Sequence, residues 1–230
     1  MREKVKAKAV IFDLDGTLLD TKWRFYKVFN KTLRKFGLRP IDRKLFLNLY
    51  RHDELGRLLF PSERKREEKL FEFWTIFLKN FQTHALTNDR LIPGVREVLF
   101  ALAKKGVPIA VTTGRASSPG DIKKELDHFG IGKFVDVIVT KEEILATATE
   151  VDQYIRRDAD VKKAAERLGV PIQDCLFVCD YILDVRSVKT LGIKTLVVLS
   201  GSSTRPMLAA EKPNLIAKSA AQLFDYVNFE

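Results

Sequence analysis

The sequence has few of the features that mark several broad classes of protein. It contains two cysteines among 230 residues, too few for a scaffold held by disulfides. Cys175 and Cys179 lie in CLFVCD (175–180), which is typical of a strand. Four positions along a strand span roughly 13 Å, too far for a disulfide bond. We therefore expect two reduced thiols in an intracellular protein.

Long apolar runs and secretion signals are also missing. No stretch approaches the ~20 apolar residues of a membrane span. The basic N-terminus MREKVKAKAVIF is followed at once by Asp13 and Asp15, which makes it a poor signal peptide. No G-x-S-x-G motif is present, so a serine hydrolase is not indicated. We expect a cytoplasmic protein without a membrane partner.

Positive charge, by contrast, is in excess. Hydrophobic residues make up 46% and charged residues 30% of the chain, which indicates a packed core, and the formal net charge is +10. A basic protein is a candidate for nucleic-acid binding. However, the basic residues are spread over many predicted helices, and the one dense segment, SERKREEK (62–69), also contains glutamates. We expect no nucleic-acid partner; a basic surface equally suits a small anionic substrate.

Apolar runs alternate with helical patterns along most of the chain. The runs are AVIF (9–12), VPIAVTT (107–113), FVDVIVT (134–140), CLFVCD (175–180) and IKTLVVL (193–199). Continuous apolar runs are typical of strands buried on both faces of a parallel sheet. The helical segments between them end at Gly106, Gly130, Gly169 and Gly192, where a left-handed cap is expected. This pattern predicts an α/β fold with a Rossmann-like open parallel sheet.

Residues 21–90 interrupt this alternation. One helix is predicted around Trp23–Phe36, and a second is predicted to start near Ser62 with an apolar face that includes Phe73, Phe77 and Phe81. The sheet pattern returns after IPGV (92–95). We therefore predict an all-helical cap domain at 21–90, inserted into an α/β core domain formed by 1–20 and 91–230.

Polar residues follow several of the predicted strands. In an open α/β sheet, ligands bind at the carboxyl ends of the strands. The residues expected at this edge are Asp13 and Asp15 after the first strand, Thr112, Thr113, Gly114 and Arg115 after the second, the pair Arg156–Arg157 before a later helix, and Asp180 and Asp184 in CDYILD. Converging carboxylates need a cation, and oxygen ligands favour Mg²⁺. A threonine, a backbone amide and an arginine can then donate hydrogen bonds to phosphate.

The ordered motifs DLDGT (13–17), TTG (112–114) and DYILD (180–184) resemble those of the haloacid dehalogenase superfamily. The helical cap after the first motif is similar to the phosphoglycolate phosphatase and β-phosphoglucomutase subgroup. The resemblance covers nearly the whole chain and is most specific in DLDGT, directly after an apolar strand.

The resemblance implies a role for each matching residue. Asp13 would attack phosphorus and form an aspartyl-phosphate, and Asp15 would be the general acid/base. Thr113 and Gly114 would bind phosphate, with Thr112 as the alternative to Thr113. Mg²⁺ would be held by Asp13, the Asp15 main-chain carbonyl and Asp180, with Asp184 as a direct or water-mediated partner.

Two positions depart from the family pattern. The usual lysine before the last aspartate cluster is replaced by QYIRRDAD (153–160). Arg156 is the nearest substitute and the expected catalytic and phosphate-binding cation; Arg157 and Lys141 are the alternatives. The second departure is Cys179, where the family usually has a glycine that permits close approach of the backbone.

The leading interpretation is a Mg²⁺-dependent phosphatase that hydrolyses a small phosphorylated metabolite. A phosphomutase is an alternative within the same fold. A dehalogenase is disfavoured by Asp15, since that reaction needs neither a general acid at this position nor a metal. A degenerate binding protein would explain the missing lysine and Cys179. The oligomeric state is left open between monomer and homodimer.

Overall fold

The computed structural model describes residues 4–61, 66–83, 88–145 and 156–230. Its strands are β1 (Val5–Ala7), β2 (Ala9–Asp13), β3 (Leu19–Asp20), β4 (Arg90–Leu91), β5 (Ile109–Thr113), β6 (Val137–Thr140), β7 (Cys175–Cys179), β8 (Lys194–Val198), β9 (Leu215–Ala217) and β10 (Val227–Phe229).

Helices connect most of these strands. The α-helices are α1 (Lys22–Lys35), α2 (Arg43–Arg51), α3 (Arg66–Thr83), α4 (Val95–Lys104), α5 (Pro119–His128), α6 (Lys141–Leu145), α7 (Asp158–Leu168), α8 (Ile182–Val188), α9 (Arg205–Ala210) and α10 (Leu223–Tyr226). Short 3-10 turns lie at Leu55–Leu58, Gly132–Phe134, Ile172–Asp174, Lys189–Leu191 and Ala220–Gln222.

The principal sheet is parallel throughout, with the strand order β6-β5-β2-β7-β8-β9. Strand β2 lies between β5 and β7, and every residue of these three strands is buried. Such full burial is the reason that their sequences are continuously apolar up to the polar residues at their ends. The predicted α/β fold with an open parallel sheet is confirmed.

Glycines end the helices as predicted at the connections of this sheet. Gly106, Gly130, Gly169 and Gly192 all have positive φ angles, between 67° and 70°. In this left-handed region a Cβ is strained, so glycine ends a helix and turns the chain toward the next strand at little cost. These caps fix where each strand begins, and thereby where its carboxyl end falls.

The segment between the hinge strands β3 and β4 contains α1, α2 and α3. These two strands pair antiparallel, and they lie where the chain leaves the α/β part and returns to it. The buried residues of the segment form a cluster of their own, rich in phenylalanine, around Phe29, Phe46 and Phe73. Two further clusters cover the two faces of the sheet. Ser62, the predicted start of α3, lies outside the described residues, and the exact domain boundaries stay a prediction.

Membrane-spanning helices are not found in the described ranges, since no helix there is both long and apolar enough. Cys175 and Cys179 are both free and buried, at opposite ends of β7. The prediction of two unpaired thiols is therefore confirmed.

Candidate active site

Asp13 lies at the carboxyl end of the central strand β2, as expected. Its backbone is in register with Thr112 of β5, and Asp180 follows directly after the neighbouring strand β7. Asp13, Asp180 and Asp184 are all buried. Because the three strands run parallel, their ends bring side chains that are far apart in sequence to one edge of the sheet.

Arg157 binds Asp13 directly. Its Nη1 donates a hydrogen bond of 2.7 Å to Asp13 Oδ1, and its Nη2 donates one of 2.7 Å to Thr112 Oγ1. The Nε atom donates to Asp160 Oδ2 at 2.8 Å, and Asp184 Oδ1 lies 3.7 Å from Nη1. The guanidinium is buried, so these contacts are poorly screened by solvent.

Arg156, the preferred sequence candidate, lies elsewhere. Its side chain is exposed and forms an ion pair with Asp158, at 2.7 Å. Arg157 directly precedes α7, and Asp160 in the first turn of that helix holds its guanidinium toward the sheet. Arg157, one position later, is directed toward Asp13 instead, because adjacent residues at a helix start point in different directions.

Lys141 is buried close to Arg157. Its Nζ donates to Asp160 Oδ1 at 2.8 Å and also to the main-chain oxygen of Arg156. Asp160 therefore binds Lys141 with one carboxylate oxygen and Arg157 with the other. Sequence analysis missed Asp160, although an acidic residue three positions after an arginine at a helix start is a recognisable signal.

The two candidate hydroxyls at the end of β5 have different partners. Thr112 Oγ1 accepts the hydrogen bond from Arg157, whereas Thr113 Oγ1 accepts one of 3.2 Å from the main-chain N–H of Arg115. Both are buried, and successive side chains of a strand point to opposite faces. Gly114 follows directly, with open space where a Cβ would lie.

Asp15 is bound by Arg115 through both carboxylate oxygens. Arg115 Nε donates to Oδ2 at 2.8 Å, and Nη2 donates to Oδ1. Burial acts to raise the pKa of Asp15, but the Arg115 guanidinium outweighs it and holds the pKa below its ordinary value. Arg115 in turn donates to Glu125 Oε2 at 2.6 Å, and Glu125 had no signal in the sequence.

Asp180 is held by the loops around it. The Ser202 main-chain N–H donates to its Oδ2 at 2.8 Å, and the Thr17 hydroxyl donates to Oδ1 at 3.3 Å. A Cβ built on Gly201 would lie 1.7 Å from Oδ2, and one on Gly16 would lie 2.6 Å from it. The loop glycines thus leave the space that this carboxylate occupies.

The carboxylates of the site carry more negative charge than the nearby cations balance. Burial raises the pKa of Asp13 well above its ordinary value, against the attraction of Arg157 and with repulsion from Asp184 and Asp180. Burial also raises the pKa of Asp180 to about 7, and repulsion from Asp184 adds to it. A further cation at this edge would relieve that repulsion.

Cys179 fits into the structure without disturbing this edge. It is the last residue of β7 and is buried among apolar neighbours below the sheet edge. Burial, together with the negative charge of Asp184 and Asp13, raises the pKa of its thiol well above the usual value. The side chain is therefore a neutral thiol rather than a thiolate nucleophile.

The fold and site together define a class of α/β protein with a carboxylate-rich site at the edge of a parallel sheet and a helical insertion after the first strand of that sheet. A profile of the haloacid dehalogenase-like hydrolase family matches residues 10–198. The chain belongs to this family and is an enzyme of the hydrolase class, as the sequence resemblance implied.

Curated relatives match over nearly the entire chain. A pyrophosphatase PpaX from Halalkalibacterium halodurans is 25% identical, over 97% of this chain and 98% of its own length. A phosphoglycolate phosphatase from Rhodospirillum rubrum is also 25% identical, over 96% and 91% of the two chains. Among solved structures, a haloacid dehalogenase-like family hydrolase from Streptococcus pneumoniae has a TM-score of 0.75 at 19% identity and covers 96% of this chain and 98% of its own, which supports the fold.

Proposed function

We propose that the protein is a Mg²⁺-dependent phosphatase that forms an aspartyl-phosphate on Asp13. The observation that carries the proposal is the environment of this carboxylate: it is buried at the end of β2, hydrogen-bonded to Arg157, and close enough to Asp180 and Asp184 for their charges to act on it. A fixed carboxylate beside a cation and two further carboxylates suits attack on phosphorus within an anionic substrate.

In this mechanism an Asp13 oxygen forms a bond to phosphorus while the ester P–O bond breaks. Asp15 gives a proton to the departing oxygen; Arg115 favours the ionised form of Asp15 without substrate, so Asp15 is proposed to take up this proton when the anionic substrate binds. Asp15 then takes a proton from water, whose oxygen attacks the same phosphorus and releases phosphate from Asp13. Arg157 and the Thr113–Gly114 turn are proposed to bind the phosphoryl oxygens, with Thr112 as an alternative hydroxyl. Arg156 is not included, because its side chain pairs with Asp158 at the surface.

The donor set fits Mg²⁺. Among the described residues, no three histidine, cysteine or acidic side chains form a metal cage by themselves. Mg²⁺ does not need one, because it keeps several waters and usually binds one or two carboxylates. Asp13, the Asp15 carbonyl and Asp180 are the proposed ligands, with Asp184 behind them, and the bound ion would neutralise charge on the phosphoryl oxygens.

The proposed substrate is a small phosphorylated metabolite. The phosphatases among the relatives support this class, and the helical segment 21–90 is proposed to close over it as a cap. A cytoplasmic location, the absence of a nucleic-acid partner and a monomeric or homodimeric state stay predictions.

The test is hydrolysis of p-nitrophenyl phosphate with Mg²⁺ and with EDTA, for the wild type and for Asp13→Asn. We expect turnover that requires Mg²⁺ and falls by a factor of at least about 10⁴ in the variant, since it lacks the nucleophile. A panel of phosphorylated metabolites and a 2-haloacid would be assayed in parallel. Absence of metal-dependent turnover on all phosphate esters, or halide release from the haloacid, would contradict the proposal.

A further inference from the structure

A buried chain of charged groups connects Asp15 to the helical segment. Glu125 lies at its centre: its Oε2 accepts from Arg115 Nη1, and its Oε1 accepts from Arg24 Nη2, each at 2.6 Å. Arg24 Nε also donates to Asp89 Oδ2 at 2.7 Å. The order is therefore Asp89, Arg24, Glu125, Arg115, Asp15, and all but Asp15 are at most 8% exposed.

These five charged residues come from both the helical segment and the α/β part of the molecule. Arg24 is in the first turn of α1, directly after the hinge strand β3, and Asp89 directly precedes the hinge strand β4. Glu125 is on α5 of the α/β part. The ring of Phe81, near the end of α3, lies 5.0 Å from the Arg24 guanidinium and 5.2 Å from that of Arg115. These contacts connect the helical segment to the arginine that binds Asp15.

Glu125 joins the two arginines by accepting a hydrogen bond from each of them. A guanidinium is planar, so holding one Nη of Arg115 fixes the orientation of the Nε and Nη2 that bind Asp15. Without the Glu125 carboxylate, Arg115 would lose its second anchor and Arg24 would lose its link to α5. Glu125 binds Arg115, which in turn binds Asp15, so its effect on the chemistry would pass through Arg115.

We propose that Glu125 is a positioning residue that orients Asp15 through Arg115. Because Glu125 also binds Arg24, this orientation would depend on the position of α1 against the α/β part. The inference rests on the proposed role of Asp15 as general acid/base. It predicts a defect in proton transfer to the leaving group rather than a uniform loss of activity.

Two substrates with different leaving groups separate these effects. The phenolate of p-nitrophenyl phosphate departs with little help from an acid, whereas the alkoxide of glycerol 2-phosphate needs a proton. The ratio kcat/KM includes leaving-group departure, so it reports the acid step for both. For Glu125→Gln we expect kcat/KM to fall on the order of tenfold more for glycerol 2-phosphate than for p-nitrophenyl phosphate. This is a part of the roughly 10²–10⁴-fold rate enhancement that a general acid contributes.

Control variants distinguish a failure of the proposed role of Glu125 from a failure of the proposed role of Asp15. Asp127→Asn, on the exposed side of the same helix, should leave both ratios unchanged. Asp15→Asn must show the leaving-group dependence; if it does not, the proposed role of Asp15 is wrong. If Asp15→Asn shows this dependence but Glu125→Gln lowers kcat/KM equally for both substrates, or not at all, only the positioning role of Glu125 is overturned. If Glu125→Gln does not fold, Arg24→Lys is measured on the same two substrates. We expect its kcat/KM to fall more for glycerol 2-phosphate than for p-nitrophenyl phosphate. An equal fall for both substrates would overturn the proposal.

Discussion

Replacement of Arg157 by methionine, compared with the same replacement at Arg156, gives the sharpest test of the site. Arg157 is buried and binds Asp13, Thr112 and Asp160, whereas Arg156 is exposed and pairs with Asp158. Methionine keeps much of the side-chain length and removes the charge. The two variants therefore differ mainly in where the lost guanidinium was located.

The magnitude follows from the ion pair with Asp13. Two charges about 4 Å apart attract by about 4 kcal/mol at an effective dielectric constant near 20. At about 1.4 kcal/mol per factor of ten, this corresponds to roughly a thousandfold. Loss of a single preorganised donor at a reaction centre costs about 10²–10³ in kcat. We therefore expect kcat/KM of Arg157→Met to fall by roughly 100- to 1000-fold, with Lys141 remaining as the nearby cation bound to Asp160.

The assay is Mg²⁺-dependent hydrolysis of p-nitrophenyl phosphate, together with inhibition by vanadate. Arg156→Met should stay within about twofold of the wild type, because exposed ion pairs contribute little. Removing one partner from a buried pair costs about 3–5 kcal/mol of stability, so thermal unfolding of both variants is measured first. Arg157→Lys, which keeps the charge and loses the planar fork, should recover part of the activity. Equal losses in the two methionine variants, or a greater loss at Arg156, would refute the assignment.

Three further predictions concern the neighbouring groups. Gly201→Ala should lower the apparent affinity for Mg²⁺ on the order of tenfold, because its Cβ would lie 1.7 Å from Asp180 Oδ2; Gly120→Ala, with its nearest atom at 3.8 Å, is the matched control and should be silent. In EDTA, the stability of the wild type should fall as the pH rises from the ordinary Asp pKa of 3.8 to about 7, since burial and then Asp184 raise the folded-state pKa of Asp180. Mg²⁺ or Asp180→Asn should reduce this slope in urea unfolding, and an unchanged slope would contradict the electrostatic interpretation. Cys179→Ala should keep activity within about twofold while costing about 1 kcal/mol of stability; a large loss of turnover would assign the thiol a part in the reaction.

Local patterns in the sequence determined much of the fold. The continuous apolar runs at 9–12, 107–113 and 175–180 predicted the central strands because a parallel sheet buries both faces of each strand. The glycines after the helices located the turns, since positive φ angles favour glycine strongly. Asp13 and Asp180 could be placed at one edge because parallel strands end on the same side of a sheet. These inferences needed only periodicity and the identities of adjacent residues.

The tertiary structure alone decided which side chains meet across long separations. Arg157 and Asp13 are 144 positions apart, and only the packing of α7 on the sheet selects Arg157 over its neighbour Arg156. The contact between Glu125 and Arg24 spans 101 positions and joins two parts of the molecule. The sequence around a glutamate in a helix is similar whether that glutamate is buried or exposed, so Glu125 could not be identified from it. The sequence by itself therefore determined the strands and the carboxylates at their ends, whereas the choice and orientation of the cations depended on packing between elements, because a side chain's reach is set by the direction of its backbone in three dimensions.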